Sequence, residues 1–352
     1  MRRTETRSLS PRFKISPPGS ILVMRPGAMG DVLLTTPALR ALRTAFPRAR
    51  ISVLVTRSGE GILRGNECID ETLVLDKSSL RAQTGIIATV RQKRFDLIID
   101  FLCNPRTALI ARLSGAPHRL GYDVRVRKFA YNLRRERDQY ENGKKVVKYA
   151  AQVNVDMLAS LGIEAAAGGL EFVVGAAAQK KMDDYLKSEG IETKKVAGVC
   201  PAGTWQAKTW DVEKFAKLAD GISKDCGLDV LIFWGPGEQE LARRMAGLMR
   251  THARIACETT IEEAGALIRR CSLFLSNDSG LKHVAVAVGT PTVTIFGPTN
   301  PGTWNPPAAD HRAVFAELDC VFCDKNECAD LRCMKELSVE KVLSVAKEVL
   351  KA

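Results

Sequence analysis

The stretch from residue 20 to residue 56, "SILVMRPGAMGDVLLTTPALRALRTAFPRARISVLVT", decides the predicted fold. An apolar run at 20–25 leads through a glycine-rich loop into 31–46, where apolar residues recur every three to four positions. A second apolar run follows at 50–56. This order predicts a strand, a helix and a strand. Because the strands are almost wholly apolar, we expect a parallel sheet covered by helices on both faces.

The same alternation continues along the whole chain. Predicted strands, some with the turn that follows them, lie at 69–76, 95–101, 195–203, 229–237, 272–278 and 290–299. Predicted helices lie at 80–94, 176–190, 211–227, 260–271, 280–289 and 338–352. The pattern indicates an α/β protein with two Rossmann-like, doubly wound domains. Since ligands of such sheets bind at the carboxyl ends of the strands, we expect a cleft between two sets of strand-end loops.

The 352 residues divide into four predicted segments. Residues 1–18 are basic and rich in Ser and Pro, which indicates a flexible leader. They lack the apolar stretch of a secretory signal, so we expect a cytoplasmic protein. Residues 19–172 and 173–336 form the two predicted domains, which meet in a stretch of small residues and glycines. Residues 337–352 form a terminal helix that would pack back on the N-terminal domain.

Positive charge is concentrated in one part of the chain. The net charge is +12, and residues 119–148 hold ten Lys/Arg against four Asp/Glu, a net +6. Such a segment is typical of an anionic partner, which can be a nucleic acid, a membrane surface or a polyanionic substrate, or else it is a solvated surface. We expect no nucleic acid, because the segment lacks an interleaved aromatic platform and no nucleic-acid-binding module is recognisable.

The loop after the strand at 272–278 carries the most informative side chains. A helix begins after Ser279 and Gly280, and the free N–H groups at a helix start attract anions. Lys282 and His283 lie in its first turn, where they would add donors. Asp278 would repel a phosphate, so we expect it to cap the turn or to fix His283. The alternative is a capped helix with His283 packed beneath it.

Two other strand-end loops have residues suited to a nucleotide. Lys208 follows Thr204 in a loop before a helix, where a lysine can neutralise a diphosphate as a point charge. It could equally be a surface lysine. Gly235 and Gly237 permit close approach of a ligand in the next loop, and Glu238 could accept hydrogen bonds from ribose hydroxyls.

In this order, "RPGAMGDVLLTTPALRALR", "PAGTWQAKTW", "FWGPGEQE" and "NDSGLKHVAVAVGTPTVTIFGPTNP" resemble motifs of the bacterial ADP-heptose:lipopolysaccharide heptosyltransferases. The resemblance spans about residues 20–345. It implies the GT-B architecture, with the acceptor in the N-terminal domain and ADP-heptose in the C-terminal one. It also implies inverting transfer, without a catalytic metal, to the inner core of lipopolysaccharide at the cytoplasmic face of the inner membrane.

The resemblance assigns roles to individual residues. Asp31 matches the proposed catalytic base, and Gly30 belongs to the acceptor loop. The donor-binding positions are matched by Thr204, Lys208, Glu238, Asp278, Ser279, Gly280 and His283. Since the diphosphate is then expected at the later loops, Asp31 would face the acceptor and would both cap its helix and take the proton. The basic segment 119–148 would steer and hold the acidic inner core, which sits in an anionic membrane.

A second function is possible within the same fold. The glycine-rich loops also suit a GT-B glycosyltransferase that uses a different nucleotide sugar or a different cell-surface glycan acceptor. The motifs do not specify the heptose position that is filled, the exact donor sugar or the oligomeric state.

A cysteine cluster lies near the end of the chain. Cys320, Cys323, Cys328 and Cys333 follow a C-x2-C-x4-C-x4-C pattern. Four thiolates within fourteen residues could bind Zn²⁺ or an Fe–S cluster in a structural role. The spacing departs from that of a zinc ribbon, so free thiols or a local disulfide are the main expectation. We expect no cofactor in catalysis.

Overall fold

The computed structural model describes residues 15–76, 79–141, 143–191 and 195–351. Most of the predicted leader, residues 1–14, lies outside this range, while Ile15 is buried against the core. The strands are β1 (Ser20–Met24), β2 (Arg50–Val55), β3 (Glu71–Val74), β4 (Leu97–Asp100), β5 (His118–Tyr122), β6 (Leu133–Arg135), β7 (Tyr140–Glu141), β8 (Lys144–Lys145), β9 (Val196–Cys200), β10 (Asp229–Ile232), β11 (Ala253–Ile255), β12 (Leu273–Asn277), β13 (Thr292–Ile295) and β14 (His311–Val314).

Helices alternate with these strands through both halves of the chain. They are α1 (Met29–Leu33), α2 (Thr36–Ala45), α3 (Arg57–Glu60), α4 (Leu80–Lys93), α5 (Pro105–Leu113), α6 (Ala150–Met157), α7 (Ala176–Ser188), α8 (Val212–Cys226), α9 (Gln239–Leu248), α10 (Ile261–Arg270), α11 (Gly280–Ala287), α12 (Pro301–Trp304), α13 (Arg332–Lys335) and α14 (Val339–Lys351). In the part of the chain that the structure describes, no helix is long and apolar enough to cross a bilayer.

Two parallel six-stranded sheets of identical topology confirm the predicted α/β fold. Their orders are β3-β2-β1-β4-β5-β6 and β11-β10-β9-β12-β13-β14. In the first sheet, Val23 pairs with Val53 on one side and Ile99 on the other. Each order reverses beside its first strand, β1 or β9, which creates the switch point where ligands of such sheets bind. The loops after β1, β9 and β12 therefore stand where a site is expected.

The helix predicted over 31–46 is in fact two helices. The short helix α1 starts earlier, at Met29, and α2 starts afresh at Thr36 after Thr35. Pro37 lies in the first turn of α2, where its missing N–H group costs no helical hydrogen bond. The break leaves α1 free to follow the direction of the loop after β1.

The terminal helix α14 corrects another prediction. It packs on α8, β13 and β14 of the C-terminal half, so the expectation that it packs back on the N-terminal domain was wrong. Its apolar face buries Val342, Ala346 and Val349. Leu343 also lies against Gly221 of α8, where a Cβ would stand only 2.7 Å from the leucine side chain. The apolar face of α14 is therefore covered by elements of the same half of the chain.

The connection between the halves runs without regular structure from 162 to 175. Arg40 of α2 pairs with Glu171 and donates to the carbonyl of Ala167 at 2.7 Å. Beyond the connection, α7 packs on α10 of the C-terminal half. The boundary between 172 and 173 stays a prediction.

Candidate active site

The loop after β1 carries an ion pair at the switch point of the first sheet. Arg25 donates through Nη2 to Oδ1 of Asp31 at 2.8 Å, and through Nη1 to the carbonyl of Phe101 at 2.6 Å. The second oxygen of Asp31 lies over Gly27, where a Cβ would stand 2.8 Å from Oδ2. Glycine at 27 is therefore needed for the carboxylate to fold back over the loop.

Asp31 does not cap its helix, contrary to expectation. The N-cap of α1 is Ala28, and no side chain caps that end. Asp31 is the third residue of α1, and its carboxylate turns toward Arg25 instead. A guanidinium is a stronger partner for a carboxylate than a neutral N–H group, which explains the preference.

The turn that contains Phe101 is stabilised by hydrogen bonds to the neighbouring Asp100. The side chain of Asp100 accepts hydrogen bonds from the backbone N–H groups of Leu102 and Cys103, each at 2.9 Å. The hydroxyl of Tyr131 donates to the other oxygen at 2.6 Å. Burial raises the pKa of Asp100. This buried network fixes the turn that presents the Phe101 carbonyl to Arg25.

The two halves of the protein touch directly beside Asp31. A Cβ on Gly30 would lie 2.6 Å from Cδ2 of His283, so only glycine fits there. A Cβ on Gly280 would similarly lie 3.3 Å from Cε of Met29. Helices α1 and α11 thus pack against each other. The predicted acceptor-loop residue Gly30 and two of the predicted donor-binding residues, Gly280 and His283, meet at this contact.

His283 is buried, and its Nδ1 has no hydrogen-bond partner among the described residues. Burial, together with the positive charge of Lys282, lowers the pKa of His283 well below its ordinary range. The ring is therefore neutral at physiological pH. The buried hydroxyl of Ser279, the N-cap of α11, also lacks a partner in the described part of the chain. Two buried polar groups at one helix start are thus available to a ligand.

Asp278 forms a buried charge cluster instead of capping the turn. Its Oδ2 accepts from Lys208 Nζ at 2.7 Å and from Thr299 Oγ1 at 2.9 Å. Its Oδ1 lies 3.1 Å from Lys282 Nζ. Burial alone would raise the pKa of Asp278, but the charges of Lys282 and Lys208 outweigh it and hold the pKa below its ordinary range. The two roles expected from the sequence, capping and fixing His283, are therefore replaced by pairing with two lysines.

Lys282 was expected to add a hydrogen-bond donor for the ligand. Its side chain is instead fully buried. Its Nζ donates to the carbonyl of Trp304 at 2.6 Å as well as pairing with Asp278. Burial lowers the pKa of Lys282, while Asp278 opposes that shift. Lys282 therefore acts as an internal counter-ion for Asp278.

The other predicted donor-binding residues lie in the loops that follow β9 and β10. Lys208 closes a 3-10 turn after β9, and its Nζ lies 4.4 Å from the ring centre of Trp205. Thr204 is exposed on the same loop. Glu238 precedes α9, and its carboxylate accepts from the N–H group of Gly235 at 2.8 Å. That bond orders the turn and engages one oxygen, Oε2.

A cleft of about 460 Å³ opens beside Arg25, the partner of Asp31, while Asp31 itself does not line it. Arg25 and Tyr122 line it from the first half, and Asn300 and Trp304 line it from the second. The predicted donor-binding residues are not in its wall. The cleft therefore lies on the Arg25 side of the site.

Several residues of the basic segment reach the cleft. They are Arg135, Arg137, Lys145 and Lys148. Lys145 pairs with Asp138 and Lys148 with Asp156, each at 2.8 Å. Arg135 and Arg137 form no ion pair within the described part of the chain. Local acids thus neutralise part of the segment's charge, and two arginines remain for an anionic ligand.

The cysteine segment borders the same cleft. Phe322 and Asp324 line it, and the N–H group of Asp324 donates to the carbonyl of Pro298 at 2.8 Å. All four clustered cysteines are free thiols: Cys320, Cys323, Cys328 and Cys333. Among the described residues, no group of three or more His, Cys, Asp or Glu side chains is arranged to hold a metal ion.

Comparisons with known proteins agree with this architecture. A model of glycosyltransferase family 9 (heptosyltransferase) matches residues 84–333. The chain is 28% identical over 292 residues to lipopolysaccharide heptosyltransferase 3 of Escherichia coli, covering 79% of this chain and 83% of that one.

Solved structures show the same fold. The glycosyl transferase family 9 protein from Veillonella parvula DSM 2008 superposes with a TM-score of 0.81 at 24% identity, over 95% of this chain and 97% of that one. E. coli heptosyltransferase WaaC with ADP-2-deoxy-2-fluoro heptose superposes with a TM-score of 0.70 at 20% identity, over 94% and 99%. The two Rossmann-like halves have the GT-B architecture, and the family match makes the chain a glycosyltransferase. Within that class, the chain belongs to glycosyltransferase family 9, the heptosyltransferases.

Proposed function

We propose that this protein transfers heptose from ADP-heptose to the inner core of lipopolysaccharide, with inversion at the anomeric carbon. The observation that carries the proposal is the contact between Gly30 and His283. It packs the helix that carries Asp31 against α11, and an acceptor hydroxyl and a donor sugar would meet beside this contact. The family and the name of the E. coli relative support heptose and lipopolysaccharide as substrates.

Asp31 is the general base in this proposal. As the acceptor oxygen bonds to C1 of the sugar, the bond between C1 and the diphosphate oxygen breaks. The acceptor proton passes to Asp31, and the electron pair leaves with ADP. Arg25 holds one carboxylate oxygen, so the carboxylate has a fixed orientation toward the acceptor side.

Lys208 and the N-terminus of α11 stabilise the departing ADP. Lys208 would exchange its bond with Asp278 for the diphosphate, while Lys282 and Thr299 keep Asp278 neutralised. With these positive groups at the leaving group, the transfer needs no catalytic metal. Ser279, Gly280 and His283 complete the diphosphate site, and Thr204 and Glu238 contribute hydroxyl and ribose contacts.

The cleft beside Arg25 is the acceptor site in this scheme. Arg135 and Arg137 would bind the carboxylates and phosphates of the inner core as bidentate donors. The protein would work in the cytoplasm at the inner face of the inner membrane, where its acceptor is anchored. Raising the salt concentration should raise the acceptor KM, and a flat response would remove these arginines from acceptor binding.

Thermal shift with free nucleotides tests the donor. ADP at about a hundred times its Kd should stabilise the protein by about 2.7 kcal/mol, whereas UDP and GDP should not. Stabilisation by UDP or GDP in place of ADP would instead favour the alternative, a GT-B enzyme with another nucleotide sugar. A transfer assay with ADP-heptose and defined truncated core acceptors then identifies the position that is filled.

A further inference from the structure

Large apolar side chains are exposed on one face of the N-terminal half. In the loop between β5 and β6, Val126 is 74% exposed and Phe129 is 65% exposed. On the neighbouring helix α5, Leu109 is 49% exposed and Leu113 is 39% exposed. Leu109 and Leu113 are four residues apart and therefore share one helix face. Since α5 packs beside the 3-10 turn that contains Phe129, we treat the four exposed side chains as parts of one surface.

The loop that carries Val126 and Phe129 is anchored on both sides. Arg127 donates through Nε to the carbonyl of Cys103 at 2.6 Å. On the far side, Ala130 is buried and Tyr131 is bonded to Asp100. With Arg127, Ala130 and Tyr131 engaged on the inner side of the loop, Val126 and Phe129 are left on its outer side. Leaving such side chains in water forgoes burial energy, which is typical of a surface that meets a partner.

The charges around these side chains indicate the chemistry of the partner. Arg125 and Lys128 are exposed and alternate with Val126 and Phe129. Arg112 is exposed on α5 between the two leucines. We name these residues the apolar–basic patch: Leu109, Arg112, Leu113, Arg125, Val126, Lys128 and Phe129. Cations interleaved with apolar side chains match a lipid surface, where headgroups are anionic and acyl chains lie just beneath.

We propose that the apolar–basic patch docks on an anionic lipid bilayer, with Val126 and Phe129 inserted below the headgroups. A nucleic acid is the less favoured occupant, because three of the four apolar side chains are aliphatic and offer no plane on which a base can stack. Aliphatic side chains gain as much from acyl chains as an aromatic ring does.

Docking would bring the lipid surface next to the cleft. The loop leaves directly from Tyr122, which lines the cleft wall. An acceptor anchored in the bilayer would then enter the cleft from its own membrane. This consequence rests on the proposed function, but the docking surface itself does not.

Co-sedimentation of the full chain with vesicles tests the proposal. Wild type should bind vesicles of mixed phosphatidylglycerol and phosphatidylcholine and should not bind pure phosphatidylcholine. The double variant Val126→Ser with Phe129→Ser should bind the mixed vesicles about tenfold less. The pair Arg125→Gln with Lys128→Gln should weaken binding by about tenfold or more and flatten its salt dependence. Leu248→Ser is the matched control, since Leu248 is 42% exposed in the other half.

Three results would overturn the proposal: equal binding to both vesicle types, unchanged binding by the Val126/Phe129 variant, or displacement of the vesicles by an oligonucleotide. All variants should keep the wild-type melting temperature, because each change lies on the surface. Transfer to a lipid-free truncated acceptor should be unaffected in the Val126/Phe129 variant. That assay reports on the proposed function alone, so the failure of either idea can be told from failure of the other.

Discussion

Arg25 binds Asp31 and the carbonyl of Phe101 with the two ends of one guanidinium. The side chain is nearly buried, so both bonds are shielded from solvent. Arg25 therefore couples the first helix to the turn after β4 and gives the candidate base one orientation. The residue is a positioning residue, since it acts through Asp31.

Replacing Arg25 should impair the chemical step more than donor binding. Arg25→Ala removes the fork that orients Asp31, so kcat should fall by about tenfold to a hundredfold. Binding of ADP, measured by calorimetry, should change by less than about threefold. Arg25→Lys should recover part of the loss, because a lysine can reach one of the two acceptors.

Arg57→Ala is the control for this experiment. Arg57 pairs with Glu60 on the surface of the same half, and such pairs contribute little. A drop in ADP affinity as large as the drop in kcat would contradict a positioning role for Arg25.

Lys208→Ala should weaken the donor site directly. A lysine that binds a diphosphate contributes about 1.5–3 kcal/mol, so the Kd for ADP should rise by about tenfold to a hundredfold. The fold should tolerate the change, since Lys282 and Thr299 still bind Asp278. Lys217→Ala, at an exposed position of α8, should bind ADP as wild type does. Unchanged ADP affinity in Lys208→Ala would assign this lysine to the charge cluster alone.

Gly30→Ala tests the contact between the two halves. The added methyl group would stand 2.6 Å from the ring of His283, so α1 and α11 must separate or the ring must move. We expect kcat to fall by about tenfold or more, because a displacement near 1 Å is costly to catalysis. Steady-state assays provide the measurement.

Gly247→Ala is the matched control, because a Cβ there meets nothing within 4 Å. Alanine in the last turn of α9 should keep or slightly raise helix stability and leave activity unchanged. If Gly30→Ala were equally active, the contact would have no role in catalysis.

The lowered pKa of Asp278 predicts how stability depends on pH. A carboxyl group whose pKa falls on folding adds stability above its unfolded value of about 3.9. That stability is lost as the pH falls through the folded value. The free energy of unfolding of wild type should thus fall more steeply below about pH 4 than that of Asp278→Asn.

Urea denaturation at a series of acidic pH values measures this difference. Asp184→Asn serves as the control, because Asp184 pairs with Lys180 in solvent and should not alter the acid limb. Parallel curves for wild type and Asp278→Asn would mean that the buried cluster does not stabilise the ionised carboxylate.

Much of the fold was predictable because its signals are local. Apolar runs such as 20–25 and 272–278 marked strands β1 and β12 correctly, and the alternation with helices indicated parallel sheets. The break between α1 and α2 was missed, because an apolar periodicity of 3.6 continues across Thr35. The partner of α14 was also missed, since an apolar helix face does not specify the surface that covers it.

The roles of the predicted site residues stay predictions, and the bonds that the structure shows among them could not be predicted from the sequence. Glycines and charged residues at strand ends marked the loops of Asp31, Lys208 and Asp278. The pairing of Asp278 with Lys208 joins positions seventy residues apart, and no local pattern encodes it. Arg25 was not predicted as a site residue, because it directly follows an apolar strand and belongs to no motif of its own. The only available signal was a lone arginine at the switch point, six residues before the candidate base.

The most direct test of the central claim compares wild type with Asp31→Asn in a transfer assay with ADP-heptose and a truncated inner-core acceptor. Asparagine preserves the size of the side chain but cannot accept the proton. Wild type should form the heptosylated product, and Asp31→Asn should lose about a hundredfold or more in kcat while ADP binding is retained. Equal product formation by both proteins would contradict Asp31 as the base, and no product from wild type would contradict heptose transfer itself.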